Sequence, residues 1–324
     1  MSADHAGHGV MLRRWVARIA PVVLLSLAGW VLWREFRSLT VAQVVAKAQL
    51  WGAQRIAIAG VLTVCSFTCL ALIERLGLNW AHAKAPWRVA LLAGFCANAF
   101  AHAIGFALLT GSTVRTRFYA RHGASILAAA QVGLFRGVAF GTGMSTVLGL
   151  ALMGSPDLDF DGWRPDAVIV RGVACGFLLA PVVYLGLCTG LRGSVTLFGR
   201  VLALPPPGAA AAQVALGAVD CASTAMIGWA LLPGGLASYG QYAAAYAVST
   251  LLGLASHVPG GFGVFEGSVL TLLPQAPRAA LAAAFLGYRL IYYVTPLAIA
   301  SLLLVADGYA DRRSAHTHKD VMSQ

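Results

Sequence analysis

Ser256-His-Val-Pro-Gly-Gly-Phe-Gly-Val-Phe-Glu266 interrupts an apolar run that begins at Tyr239 and resumes as far as Leu273. Pro259 lacks a backbone N–H and its ring clashes with the carbonyl four residues back, while Gly260, Gly261 and Gly263 are poor helix formers. The segment therefore breaks a helix that would otherwise continue. Broken backbone at membrane depth is tolerated only where protein buries it or where it lines a wet cavity. Two readings are open: a span that ends in a water-exposed loop, or a hairpin that enters the membrane and turns back.

A second place reads the same way. The apolar run 89–109 passes into Thr110-Gly-Ser-Thr-Val-Arg-Thr-Arg-Phe-Tyr119, a polar stretch taken here as a glycine-containing turn. Around these two breaks lie six uninterrupted apolar runs, at 15–33, 56–73, 125–153, 167–189, 209–232 and 279–306. A helix needs about 20 apolar residues to cross about 30 Å of hydrocarbon, so each run is long enough to span or nearly so.

Composition agrees. Of 324 residues 59% are hydrophobic and 11% charged, against roughly a quarter charged in soluble domains. The formal charge of +11 sits mostly in short loops with no interleaved aromatic stripe, which suits positive-inside topology and anionic lipid, not nucleic acid. Cys65, Cys69, Cys96, Cys175, Cys188 and Cys221 all fall in apolar runs. They read as packing residues, and no Cys/His pairing completes a metal site. The first run follows Arg13, Arg14 and Arg18 and ends in Trp30, Trp33 and Arg34 without a small-residue cleavage site, so it is expected to stay as an anchor.

Charge placement chooses between the two readings. Four basic clusters are present: Arg13, Arg14 and Arg18; Arg75, Lys84 and Arg88; Arg115, Arg117 and Arg121; Arg192 and Arg200. One loop is acidic, with Asp157, Asp159, Asp161 and Asp166 against Arg164. If 89–109 turns back, all four basic clusters lie inside and the acidic loop outside, as the positive-inside rule prefers. The exception is 34–55, whose basic residues then lie outside; its 39–50 part is expected to be an interfacial helix.

The two broken regions also correspond. Arg115 precedes Arg136 by 21 residues and Glu266 precedes Arg289 by 23, while His102 and His257 stand before the two breaks, 155 residues apart. Entering from opposite faces, the two units make an inverted repeat, an architecture in which transporters place substrate near the midplane. The expected fold is thus all-α: a polytopic helical membrane protein with about six full spans plus two re-entrant helical hairpins. Residues 1–14 form a cytoplasmic tail, 15–306 a single transmembrane domain with repeats at about 56–153 and 209–306, and 307–324 a polar tail.

Arg136, Asp220 and Arg289 fall near the centres of spans, and Glu266 in the second break. A charge at the bilayer centre costs about 2.5–3.5 kcal/mol on insertion scales and must be paired or line a cavity. Two arginines against two carboxylates permit internal salt bridges; equally, the arginines suit an anionic headgroup, since the planar guanidinium grips phosphate with two parallel hydrogen bonds. Arg115, His257 and the glycine N–H groups of Gly260, Gly261 and Gly263 are further candidate substrate contacts. His102 and His257 could relay protons, although histidines near turns are more often structural. Gly137 and Gly141 have the spacing of a close helix contact, and Asn98 and Gln131 read as interhelical hydrogen-bond partners. Ser256, His257 and Glu266 are triad residue types without a nucleophile elbow, and no P-loop is present. No catalytic residue, metal or cofactor is expected.

At these residues the chain resembles a known family. Ser256 to Glu266, followed by Tyr288-Arg-Leu-Ile-Tyr-Tyr-Val-Thr-Pro296, is similar to the lysylphosphatidylglycerol synthetase transmembrane family, and Thr110 to Tyr119 looks like that family's earlier signature. The resemblance covers roughly 21–307. It implies a bacterial inner-membrane lipid flippase for an anionic or aminoacylated phospholipid, or a related lipid such as a hopanoid or cardiolipin. Full-length members continue into a soluble aminoacyltransferase domain, which the residues after the last helix do not supply; a stand-alone member is the expectation. A homo-oligomer, a scaffold serving a lipid-modifying partner enzyme, and an intramembrane headgroup enzyme are the alternatives.

Overall fold

The computed structural model describes residues 26, 41–104, 107–155, 165–191, 193–197, 200–256, 258 and 261–322. The expected first span at 15–33, the N-terminal tail, most of the acidic loop, His257, Pro259 and Gly260 lie outside the described residues.

Among the described residues ten helices follow in order: α1 Val41–Trp80, α2 Trp87–Ile104, α3 Ala107–Ala120, α4 Ile126–Gly154, α5 Ala167–Gly190, α6 Pro207–Ala230, α7 Tyr239–Ala255, α8 Val264–Leu272, α9 Arg278–Tyr288 and α10 Thr295–Met322. A π-helical turn, Arg289–Val294, joins α9 to α10. One short antiparallel hairpin, β1 Ser194–Leu197 with β2 Arg200–Ala203, lies between α5 and α6. The chain is an all-α polytopic membrane protein with this small addition. Among the described residues six helical stretches are long and apolar enough to cross a membrane: Trp51–Trp80, Trp87–Ile104, Ile126–Gly154, Ala167–Gly190, Pro207–Ala230 and Arg278–Tyr309.

Local chemistry sets the helix ends. Ser125 accepts from the Ala128 N–H at the start of α4, and Asp166 accepts from the Val168 N–H at the start of α5. Ser238 and Gln241 form a reciprocal capping box at the start of α7. Gly52, at φ 68° and ψ 158°, breaks α1 into a short first helix and the span that starts at Trp51. This first helix stands at the place of the segment 39–50 expected to be interfacial.

The helices pack as two hairpins set into a bundle. α1 lies along α6, α4 packs on α5, α6 and α7, α2 folds back on α3, and α7 folds back on α8. At one end of the bundle Arg121 and Arg117 pair with Asp307, which joins the end of α3 to α10. At the other end Arg55 donates to the Leu232 carbonyl, and Gly240 at the start of α7 lies against Ser155 at the end of α4. The loop before α2 and His122 after α3 line one cavity, so both arms of the first hairpin begin and end at the same face. In the second hairpin α8 has 9 residues; at about 1.5 Å per residue it falls far short of a crossing.

Thr110 to Tyr119 is helical, which corrects the expected turn. The polar motif belongs to α3, which packs back on α2 as the hairpin's return arm. It is polar because protein, not lipid, surrounds much of it: Val114, Arg115, Phe118 and Tyr119 are buried. Gly137 and Gly141 have no atom within 4 Å of an added Cβ and make no close contact. The close helix approach is made by Gly143 and Gly217, where a Cβ on Gly217 would stand 2.1 Å from the Ala139 carbonyl oxygen. Apolar exposure is heaviest on α5, at Val168, Ile169, Leu179, Val182 and Leu187, as a lipid-facing surface requires.

Candidate functional site

Arg136 lies ten residues beyond the start of α4, about 15 Å along the helix and thus near half the depth of a bilayer. It faces the tip of the first hairpin: Arg136 Nη2 lies 3.2 Å from His102 Nε2. A guanidinium carries only donors, so this nitrogen of His102 is the acceptor. Arg136 Nε is buried with no hydrogen-bond partner, and among the described residues no carboxylate lies within ion-pair distance of Arg136. Among the described residues Arg136 therefore makes none of the internal salt bridges that the balance of two arginines and two carboxylates permits. Asp220 Oδ1 instead accepts from the Ser66 hydroxyl, which lies 2.9 Å from the Tyr292 hydroxyl.

Arg289 is eleven residues beyond the start of α9 and occupies the first position of the π-helical turn. Its Nε donates to Glu266 Oε1 at 2.8 Å and its Nη2 to the same oxygen. The guanidinium stands 3.6 Å from the Phe262 ring centroid, at the tip of the second hairpin. Glu266 Oε2 accepts from the Gly263 N–H at 2.8 Å and so caps α8. This pair is one of the internal salt bridges that the balance of two arginines and two carboxylates permits. Gly261 and Gly263 take φ +65° and +79°, conformations that only glycine adopts freely, which explains two of the glycines as turn formers. His257 and Gly260 lie outside the described residues.

Arg115, expected to touch substrate, is held inside the protein. Its Nε and Nη2 donate to the two oxygens of Glu74 at 2.7 Å each, and the Tyr119 hydroxyl adds a third bond to Glu74 at 2.6 Å. Both side chains are buried, at 2% and 0% exposure. This bidentate pair locks the return arm of the first hairpin to α1. Sequence reasoning missed Glu74, Ser66 and Tyr292. Glu74 carried a signal, as the one acidic residue between Glu35 and Asp157. Asn98 donates to Gly94 within its own helix, a second correction to an expected interhelical bond.

The π-helical turn connects the two halves. Tyr292 lies 5.2 Å from the His102 ring and Tyr293 6.1 Å, while Tyr293 also lies 5.9 Å from the Arg289 guanidinium. The Pro296 ring would clash with the Tyr292 carbonyl in a regular α-helix, and the wider turn before it relieves that while the Thr295 hydroxyl donates to Leu290 five residues back. Such bulges concentrate at functional sites because they re-aim side chains. Here the bulge sets two tyrosines between the two arginines.

Fold and site together define a polytopic helical membrane protein with two helical hairpins whose tips meet arginines inside the bundle. No family model matches the chain. Over 269 residues, 82% of this chain and 83% of its relative, it is 32% identical to slr0712 of Synechocystis sp., a protein described as uncharacterized. The chain belongs to the family of that protein. Over 143 residues, 43% of this chain and 45% of the relative, it is also 32% identical to the inner membrane protein YbhN of Escherichia coli. That likeness and the six membrane-competent helices are consistent with a multi-pass inner membrane protein.

Proposed function

We propose that the protein translocates a lipid with an anionic headgroup across the bacterial inner membrane, and that it is a transporter, not an enzyme. The observation that carries this reading is Arg136: a cation near mid-depth, without a carboxylate partner among the described residues and with a buried, unpartnered Nε. An uncompensated charge at that depth is held at a cost that structure alone does not need, and intramembrane charges of this kind mark substrate pathways. A phosphate oxygen would meet both the free Nε and the second nitrogen of the guanidinium edge.

Three further features support it. The His102, Tyr292 and Tyr293 rings beside Arg136 offer a site with an apolar body and polar edges, suited to a headgroup entering with its glycerol. The two hairpins, each followed by a helix with an arginine ten or eleven residues in, read as an inverted repeat over about 56–153 and 209–306, the plan by which transporters alternate access. The resemblance of Ser256–Glu266 and Tyr288–Pro296 to the lysylphosphatidylglycerol synthetase transmembrane family points to lipid as cargo and partner.

The test is movement of labelled lipids between leaflets of liposomes that contain the purified protein. Anionic, aminoacylated and hopanoid lipids would be compared, with Arg136→Gln alongside. Movement of one class that Arg136→Gln loses upholds the proposal. No movement of any lipid by folded protein sinks it and favours a non-transporting scaffold for a lipid-modifying enzyme.

A further inference from the structure

At the bundle end that carries Arg117 and Arg121, a cavity of about 470 Å³ opens between the end of α1, the following loop and the end of α3. Arg75, Asn79, Lys84, Ala85, Pro86 and His122 line it. Two permanent cations and one titratable ring face a space that no carboxylate lines among the described residues. The neighbouring acid, Glu74, is fully engaged by Arg115 and Tyr119 on the other side of the helix.

The cavity is built, not incidental. Arg75 Nη1 donates to the Ala85 carbonyl at 3.2 Å, and its guanidinium lies 5.9 Å from the Trp87 ring centroid, so the side chain is held in place while its other nitrogens keep their donors. His122 Nδ1 lies 3.4 Å from the Phe118 carbonyl, which leaves Nε2 as the edge open to a ligand. The carbonyls at the end of α1 would repel an anion, but the loop covers them: the Ala81, His82 and Ala83 N–H groups donate to Gly77, Asn79 and Leu78. His82 takes φ 51° to do this, a conformation that is uncommon for a residue with a Cβ. The loop thereby also brings Lys84 to the rim.

We propose that this cavity is a binding site for a phosphate-bearing anion at the inner membrane surface, separate from Arg136 and independent of whether lipid is translocated there. Lysines and arginines at a membrane surface attract phosphate headgroups, and basic pockets between helices on this face bind anionic lipids. The size suits a phosphate with its glycerol, the acyl chains remaining in the bilayer. The same chemistry would accept free phosphate, so the experiment separates the two sources.

Full-length protein in detergent would be offered phosphatidylglycerol and phosphatidylcholine in equal amounts, with retained lipid measured by native mass spectrometry, and inorganic phosphate added as competitor in a second arm. Phosphatidylglycerol is expected to be retained over phosphatidylcholine and to fall about fivefold for each charge removed, in Lys84→Gln and in Arg75→Gln. The Lys84→Gln/His122→Gln pair, both exposed positions, keeps the test open if Arg75→Gln fails to fold. Arg171→Gln, at an exposed arginine near the start of α5 and outside both sites, should retain the lipid as wild type does. Indifference to excess inorganic phosphate assigns the site to lipid, whereas displacement assigns it to a soluble phosphate; either upholds the site. Equal retention of the two lipids, unchanged retention in Lys84→Gln/His122→Gln, or as large a loss in Arg171→Gln overturns it.

Discussion

Arg136 and Arg289 stand 153 residues apart in the chain and at matching places in their helices, yet Arg289 is gripped by Glu266 while the one hydrogen-bond partner of Arg136 among the described residues is the ring of His102. The difference lies in the hairpins' return arms. The second carries Glu266, which turns toward Arg289; the first carries Arg115, which turns away to Glu74. One half of the bundle therefore closes its own charge and the other leaves a cation open.

That asymmetry predicts opposite effects from the same substitution. Arg136→Gln removes a charge without breaking an ion pair, so thermal unfolding in detergent should change little or rise while lipid movement in liposomes is lost. Arg289→Gln leaves Glu266 without its guanidinium partner and should destabilise by about 1–3 kcal/mol, the range for a polar group stripped of its bond at a half-buried site. Equal destabilisation by both variants would contradict the unpaired state of Arg136.

The Glu74–Arg115 pair makes a sharper stability prediction. Glu74→Gln strips a buried guanidinium of its counter-charge and should cost about 3–5 kcal/mol, the usual penalty for breaking a buried pair. Replacing both residues by methionine removes the stranded charge and should recover most of that loss. A double-mutant cycle by thermal or denaturant unfolding measures it. If the double variant is no better than Glu74→Gln, hydrogen bonding to Tyr119 and packing, not the charge pair, fix the return arm of the hairpin.

How far the sequence could be read depended on whether a residue stood out against lipid. Arg136, Asp220 and Arg289 did, as charges inside long apolar runs, and the spans themselves followed from hydropathy. Glu74 did not, because it abuts the end of its run beside Arg75 and reads as part of a loop cluster. Thr110 to Tyr119 was misread as a turn because hydropathy senses lipid and not protein, and this helix buries Arg115 and Tyr119 against its neighbours. The glycine contact was misplaced for a related reason. Gly137 and Gly141 have a suggestive spacing, but Gly143 and Gly217 come together from two helices, and no spacing within one chain segment records that. The partner of Asp220 was hidden likewise, since Ser66 looks like any small residue of a span.

The glycines supply a third prediction. Cβ atoms on Gly217 would collide with α4 backbone and on Gly143 with α6 backbone, and backbone cannot swing aside as a side chain can. Gly217→Ala should push the two helices apart and destabilise by about 1–3 kcal/mol, as overpacking does. Gly141→Ala, with open space around it, should be neutral or stabilising by up to about 1 kcal/mol through helix propensity. Unfolding midpoints of the two variants decide it, and a similar loss from both would mean that the α4–α6 contact is not the close one.

The re-entrant reading of both hairpins predicts which positions share a face of the membrane. Lys84 precedes α2 and His122 follows α3, and both line one cavity; Gly234 precedes α7 and Gln275 follows α8. In a background with the six native cysteines replaced, single cysteines at Lys84 and His122 should react with a membrane-impermeant maleimide only from the cytoplasmic side, and those at Gly234 and Gln275 only from the opposite side. A hairpin that crossed completely would put one member of its pair on each face. Labelling of intact cells against inverted vesicles reads this directly. Opposite labelling of Lys84 and His122 would refute the first hairpin and bring Arg115 to the far side of the membrane, where its pairing with Glu74 could not persist.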